Sequence, residues 1–394
     1  MAMLAPLPSV EAFRRDAVSD GVELDDGVAA SWLESATRLE RAAMTRGPER
    51  DRLLAGLLAQ HGVVTFKDSA TSPTALVSAV MTMASEMEDN TFFRLAHGVV
   101  STLLIVVPEN EVLLRGRIIA RLALLARHLG NVAAANRYYN EVEQLGSEFG
   151  LPELTGRAWT GLGILAQLRG DFPESRRRFN AVIALSGAAS DSITYSHHHL
   201  MMAAAAAGDY DTAASHGWSA FKGSATATQE TEALLNLSQL LLDAGHARAA
   251  LRGFAAGLAR KPITRLEVPI IGGAACAAAA SLPVPAARAL VRNFADRLDQ
   301  LMPALQHGKN LPYPTASTLV ELSEALAVVG DDERSRDLAE RAETLASALG
   351  FHQLVYRLEN PVLVPQPAVL AESTNEIIAA VDELEGAELV GAAR

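Results

Sequence analysis

The sequence predicts an all-α chain, a superhelical array of antiparallel helix hairpins or α-solenoid. Hydrophobic residues fill 49% of the 394 positions but aromatic residues only 5%. Ala and Leu supply much of the apolar fraction, which suits closely packed helices and disfavours a large β-sandwich. Punctuation is the second sign: Leu-Gly-Asn at 129–131, Arg-Gly-Asp at 169–171, Ala-Gly-Asp at 207–209, Ala-Gly-His at 244–246 and Val-Gly-Asp at 329–331. The first four of these glycines, Gly130, Gly170, Gly208 and Gly245, are 40, 38 and 37 residues apart, the period of one helical hairpin. Third, apolar residues recur at helical spacing on both sides of each glycine, so each hairpin has a face that only a neighbouring hairpin can bury.

Within residues 1–110 the pattern is less regular. Helices are expected at about 26–45, 49–61, 73–86 and 90–106, separated by Gly-Pro-Glu at 47–49 and by the stretch 66–73. Ser72 and Pro73 suit a helix start, and Pro108 suits a stop. This segment reads as a helical cap or partner module, because a terminal repeat lacks a neighbour on one side.

The repeat is clearest in Arg157 to Leu185. Trp159, Leu162, Gly163 and Ala166 alternate bulky and small positions along a first helix, which lets a neighbouring helix approach closely. Gly170 permits the turn, Asp171 can cap the next helix, and Pro173 suits its first turn. Ser175, Phe179 and Val182 then mark the buried side of the returning helix. Around Gly130 the corresponding positions are Ile119, Leu122, Ala123 and Ala126, then Ala135, Tyr139 and Val142. Leu200, Met201 and Ala204 precede Gly208, which Ala213, Gly217 and Ala220 follow. Leu234, Leu237, Ser238 and Leu241 precede Gly245, with Ala250, Phe254 and Gly257 after it. The late unit has Leu319, Leu322, Ser323 and Leu326 before Gly330, then Ser335, Ala339 and Ala342.

These positions resemble the tetratricopeptide-repeat family, and within it the repeat domains of bacterial regulatory proteins. Trp159, Leu162 and Gly163 match the first helix of the family pattern, and Phe172 and Phe179 match aromatic positions of its turn and second helix. Ser175 replaces the usual Ala, and Val182 replaces the last small residue. The longer linkers depart from uniform arrays of about 34 residues. Clear repeats are assigned to 111–258. A degenerate continuation follows at 259–357, in which Leu266 to Leu301 forms a hairpin that turns on Leu282, Pro283 and Pro285 instead of glycine. Gly308 to Pro314 is a looser connection. Residues 358–394 form an acidic tail interrupted by Pro361, Pro365 and Pro367, with a short helix at about 375–384.

A net charge of -12 repels nucleic-acid backbones, and no nucleic-acid motif accompanies it, so direct nucleic-acid binding is not expected. Cys276 is the single cysteine; it cannot form an intrachain disulfide or a four-Cys zinc site, and it reads as a space-filler between helices. The amino-terminal stretch has no basic leader followed by a long apolar run. The densest apolar run, Val99 to Val107, is about half of a bilayer-spanning helix. A cytoplasmic protein with no membrane association is expected.

The resemblance implies that the first helix of each hairpin lines a groove. It places Arg117, Arg127 and His128 there from one unit, Arg157, Thr160, Ile164 and Gln167 from the next, Tyr195, His198 and Met202 from the third, and Glu232, Leu235 and Gln239 from the fourth. A positive rim beside apolar and amide groups suits a protein or peptide partner of acidic character, and ordinary solvated helix faces are the plainer reading of the same residues. Docking of the acidic tail onto the array is a further expectation. Adjacent helical residues diverge by about 100°, so His197, His198 and His199 cannot all converge on one metal; His197 falls at a buried position and His198 at a groove position. No phosphate loop, HExxH motif or nucleophile–base set is visible. The leading expectation is therefore a peptide- or protein-binding scaffold, in a regulatory role, with no cofactor or metal and no catalytic activity. A small-molecule sensor with an enclosed pocket is the alternative, and an enzyme in a helical shell is the third reading.

Overall fold

A computed structural model of the chain describes residues 34, 35, 37–39, 41, 73–89, 92–303, 305, 311–360 and 368–384. The helices expected at 49–61 and in most of 26–45, the 66–72 connection, residues 308–310 of the Gly308–Pro314 connection and the prolines at 361–367 lie outside the described residues. Helices are numbered here from the first with defined bounds: α1 (Pro73–Asp89), α2 (Phe93–Val106), α3 (Val112–His128), α4 (Val132–Glu148), α5 (Pro152–Leu168), α6 (Phe172–Ala184), α7 (Ser190–Ala206) and α8 (Tyr210–Gly223). They continue as α9 (Ala227–Asp243), α10 (Ala247–Ala259), α11 (Thr264–Ser281), α12 (Val284–Leu301), α13 (Pro312–Val328), α14 (Asp332–Leu349), α15 (His352–Glu359) and α16 (Glu372–Asp382). Among the described residues there is no strand, and no helix is long and apolar enough to cross a membrane.

The five predicted glycine turns fold alike. Gly130, Gly170, Gly208, Gly245 and Gly330 all have φ between 74° and 82°, a region costly for residues with a Cβ. The residue after each glycine donates its N–H to the carbonyl five residues back, as in Asn131 to Ala126 (2.8 Å), Asp171 to Ala166 (2.9 Å) and Asp331 to Leu326 (2.9 Å), which closes the helix end. Asn131, Asp171 and Asp209 then cap the next helix through Ala134, Glu174 and Thr212 N–H groups. The Asp331 carboxylate also accepts from Arg292 Nε at 2.5 Å. Asp171→Ala is expected to destabilise α6 by about 1 kcal/mol, read as a lower urea midpoint.

Two compact units divide at Ser192/Ile193, inside α7. In the first unit, α1, α3 and α5 touch in succession, while α2, α4 and α6 pack against these first helices. In the second, α9, α11, α13 and α15 form the same kind of continuous row, with α10, α12 and α14 behind it. The second helices of a row contact one another at most marginally, so each row curves with its first helices on the inner side.

Small residues set these spacings. A Cβ on Gly161 of α5 would overlap the buried Tyr139 ring of α4, and one on Gly273 of α11 would overlap the Phe254 ring of α10. Phe179 of α6 fills the notch over Gly163 of α5, 2.8 Å from where a Cβ would stand. Ser175, Phe179 and Val182 are all buried, as their spacing predicts. Trp159 is half-buried and donates Nε1–H to Glu143 Oε1 at 2.7 Å.

Candidate functional wall of first helices

The inner rows carry most of the sequence-predicted site residues. In the first unit, Arg117 of α3 makes a two-pronged contact with Glu153 of α5, at 2.7 and 2.6 Å. Arg157, one turn beyond Glu153, reaches Glu153 at 3.3 Å and Asp191 of α7 at 2.7 Å. A ladder of alternating charge thus crosses three successive first helices. Hydrogen bonding to Arg117 holds the Glu153 carboxyl below its ordinary range and raises the Arg117 guanidinium in return. The sequence-predicted positive rim is therefore balanced at Arg117 and Arg157 by Glu153 and Asp191, residues that sequence reasoning did not single out. Their signal was present in the repeat, since Glu153 follows Arg117 by 36 residues and Asp191 follows Arg157 by 34.

Arg127 is half-buried beside Tyr139, whose hydroxyl pKa is raised by burial and pulled back by the Arg127 charge. Its neighbour His128 stacks on Phe93 of the preceding hairpin, with ring centres 4.7 Å apart and planes 3° from parallel. Gln167 is half-buried near the end of α5, with Ile164 one turn before it; Thr160 is buried.

In the second unit, His198 lies with Nδ1 3.2 Å from Asn236 Nδ2 of α9, and burial lowers its pKa. His197 points elsewhere, with Nδ1 3.0 Å from His216 Nδ1 of α8, and burial lowers the pKa of both rings. The run of histidines diverges as the helical geometry requires. Tyr195 and Met202 are exposed, Glu232 and Leu235 are half-buried, and Gln239 donates to Asp243 Oδ1 at 2.9 Å.

Asp243 leads to a cluster that sequence reasoning missed. On the inner row of the second unit, Glu321 and Glu324 of α13 face Arg357 of α15. Arg357 is 3.0 Å from Glu324 through Nε and 3.8 Å from Glu321 through Nη1. Burial raises the Glu321 carboxyl to about 7 against the pull of Arg357, and burial also raises Asp243. Gly272 of α11 leaves room for the Glu321 carboxylate, which a Cβ there would strike. Cys276 donates its thiol to the Glu321 carbonyl at 3.5 Å, and burial holds that thiol well above its usual pKa, so it stays protonated and unreactive. The signal was helical phase: with Leu319, Leu322, Ser323 and Leu326 buried, Glu321 and Glu324 take the opposite face. Among the described residues no group of three or more His, Cys, Asp or Glu side chains is placed to hold a metal.

The described part of the acidic tail, Ala368 to Leu384, lies against the second helices α8 and α10 and not on the first-helix row of its unit.

No family model and no curated protein matches the sequence. Among solved structures, the chain is similar to a Signal Transduction ATPase with Numerous Domains protein with a tetratricopeptide repeat sensor from Pyrococcus horikoshii, with a TM-score of 0.52 and 12% identity. The match covers 91% of this chain and 55% of that one, so the chain spans about half the length of the protein it resembles. What the two share is the fold, and this chain is accordingly an all-α array of helix hairpins of the tetratricopeptide-repeat type.

Proposed function

We propose that the chain is a peptide- or protein-binding scaffold that works in regulation and has no catalytic activity. The observation that carries this reading is the continuous row of first helices within each unit. Such a row offers aligned, half-exposed positions to an extended or helical partner segment, with specificity coming from side-chain pockets and directed hydrogen bonds. Arg127, Ile164 and Gln167 are the proposed contacts in the first unit, and Tyr195, Met202 and Gln239 in the second. Arg117 and Arg157 enter as a charge ladder whose carboxylates an acidic partner would have to replace, so they select an acidic group only where its geometry matches Glu153 or Asp191. The similar Pyrococcus protein has its repeats as a sensor, which supports a regulatory setting.

The test is affinity capture from native extract with the folded wild type beside two variants, Ile164→Glu and the double change Arg127→Glu with Arg157→Glu. Captured proteins are identified by mass spectrometry and rebound in purified form. Retention by the wild type with at least tenfold weaker binding by either folded variant is the expected result. Equal binding by all three would move the interface off the first helices, and no specific retention would overturn the scaffold reading.

A further inference from the structure

The tail helix α16 occupies a place that the repeat geometry leaves open. The second helices α8 and α10 both pack on α9 and touch each other at most marginally, and α16 packs on both α8 and α10. It reaches them from far along the chain: Thr374 and Asp211 are 163 residues apart, and Ala368 and His246 are 122 apart. This is not the stacking of a terminal helix on the last hairpin.

The contacts form a short list with a clear chemistry. At the start of α16, Asp211 Oδ1 accepts the Ala371 N–H at 2.9 Å and the Thr374 hydroxyl at 2.6 Å, satisfying a backbone donor that the first turn of a helix leaves unpaired. At its end, Arg252 Nη1 donates to the Asp382 carbonyl at 2.9 Å, and Arg252 Nε lies 3.5 Å from the Asp382 carboxylate. Both ends of the helix dipole are met by the opposite charge. Just before the helix, Ala368 N–H donates to the Ala244 carbonyl at 2.9 Å. Between these points Val381 is buried, its Cγ1 3.3 Å from where a Gly253 Cβ would stand. Thr374 and Val381 are the two fully buried residues of the 11-residue helix, and Ile377 and Ile378 are partly buried against the same core; the helix is too short to hold its own helicity in water.

We propose that the gap between α8 and α10 is a docking site for a short amphipathic helix and that α16 is its displaceable resident. The partner it fits is a helix with an uncapped first turn, apolar side chains at the places of Ile377, Ile378 and Val381, and a carboxylate at its end. Asp211, Gly253 and Arg252 read those three features in order. This surface is distinct from the first-helix row and does not depend on the function proposed for that row.

The test uses the full chain and a fluorescein-labelled peptide of residues 368–384. In the wild type the tethered tail competes at an effective concentration of order millimolar, so a peptide supplied at micromolar concentration finds the site filled. Val381→Asp in the full chain is expected to release the tail, leaving the melting transition of the array in place, and to bind the labelled peptide at least tenfold more tightly than the wild type does. Adding Asp211→Ala and Arg252→Ala to that variant is expected to weaken the peptide at least tenfold. Native-state amide exchange on the unmodified chain gives a second readout, in which the amides of α16 exchange ahead of those of α8 and α10. Exchange of all three helices together, loss of the array in the Val381→Asp chain, or a folded variant that does not bind the peptide would each overturn the proposal.

Discussion

Replacing Phe179 by Ala is expected to lower the stability of the first unit by about 3–5 kcal/mol, the range for a fully buried Phe. The ring is 1% exposed and seats in the notch over Gly163, so it is held between α6 and α5. The lost transfer energy and the cavity therefore add. Because hairpins stabilise one another through nearest-neighbour contacts, the damage should spread beyond α6. Urea unfolding should show an early transition, and amide exchange should place it in α4–α6. A loss below about 1 kcal/mol would mean that the repeat is not held by this knob and notch.

Glu321→Gln is expected to act in the opposite direction and to depend on pH. The Glu321 carboxyl titrates near 7 in the folded chain, against 4.5 as its ordinary value. Between those two values the folded chain holds a proton that the unfolded chain has released. Stability is therefore fully present below about pH 4.5, falls as pH rises, and reaches its lower level once pH passes 7. Glutamine removes this titration while keeping the size of the side chain. At pH 8 the variant should be more stable than the wild type by about 2–3 kcal/mol, the raised pKa converted and reduced for the remaining solvent access of the carboxylate. At pH 5 the two should unfold at nearly the same denaturant concentration. Equal stability at pH 8 would show that Arg357 already compensates the buried charge against the repulsion of Glu324.

The turns were legible because each is written in contiguous residues. A glycine in the left-handed region, an acid or amide after it and apolar residues four and three apart specify a helix end, a cap and a buried face without any distant partner. Ser175, Phe179 and Val182 were placed correctly on that basis, as was the divergence of His197 and His198. The groove was only half legible. Helical phase placed Arg117 and Arg157 on the first helices, but it carried no information about the acids beside them. Their partners sit on the next hairpin, and the register between hairpins depends on how closely Gly161 and Gly163 let the helices approach. Glu321 and Glu324 were passed over because they interrupt no pattern; only the meeting with Arg357, Asp243 and Cys276 makes them unusual.

What the sequence by itself determined was local: an all-α chain, its hairpin period, its turns, its caps and the buried side of most helices. Each follows from interactions spanning one or two helical turns. Only the tertiary structure decided the charge balance along the first helices, the half-buried carboxylates near Arg357, and the return of α16 to α8 and α10. Those depend on side chains that lie from about one repeat to 163 residues apart. Such groups meet only after packing sets the distances between helices, and burial then raises the Glu321 and Asp243 carboxyls.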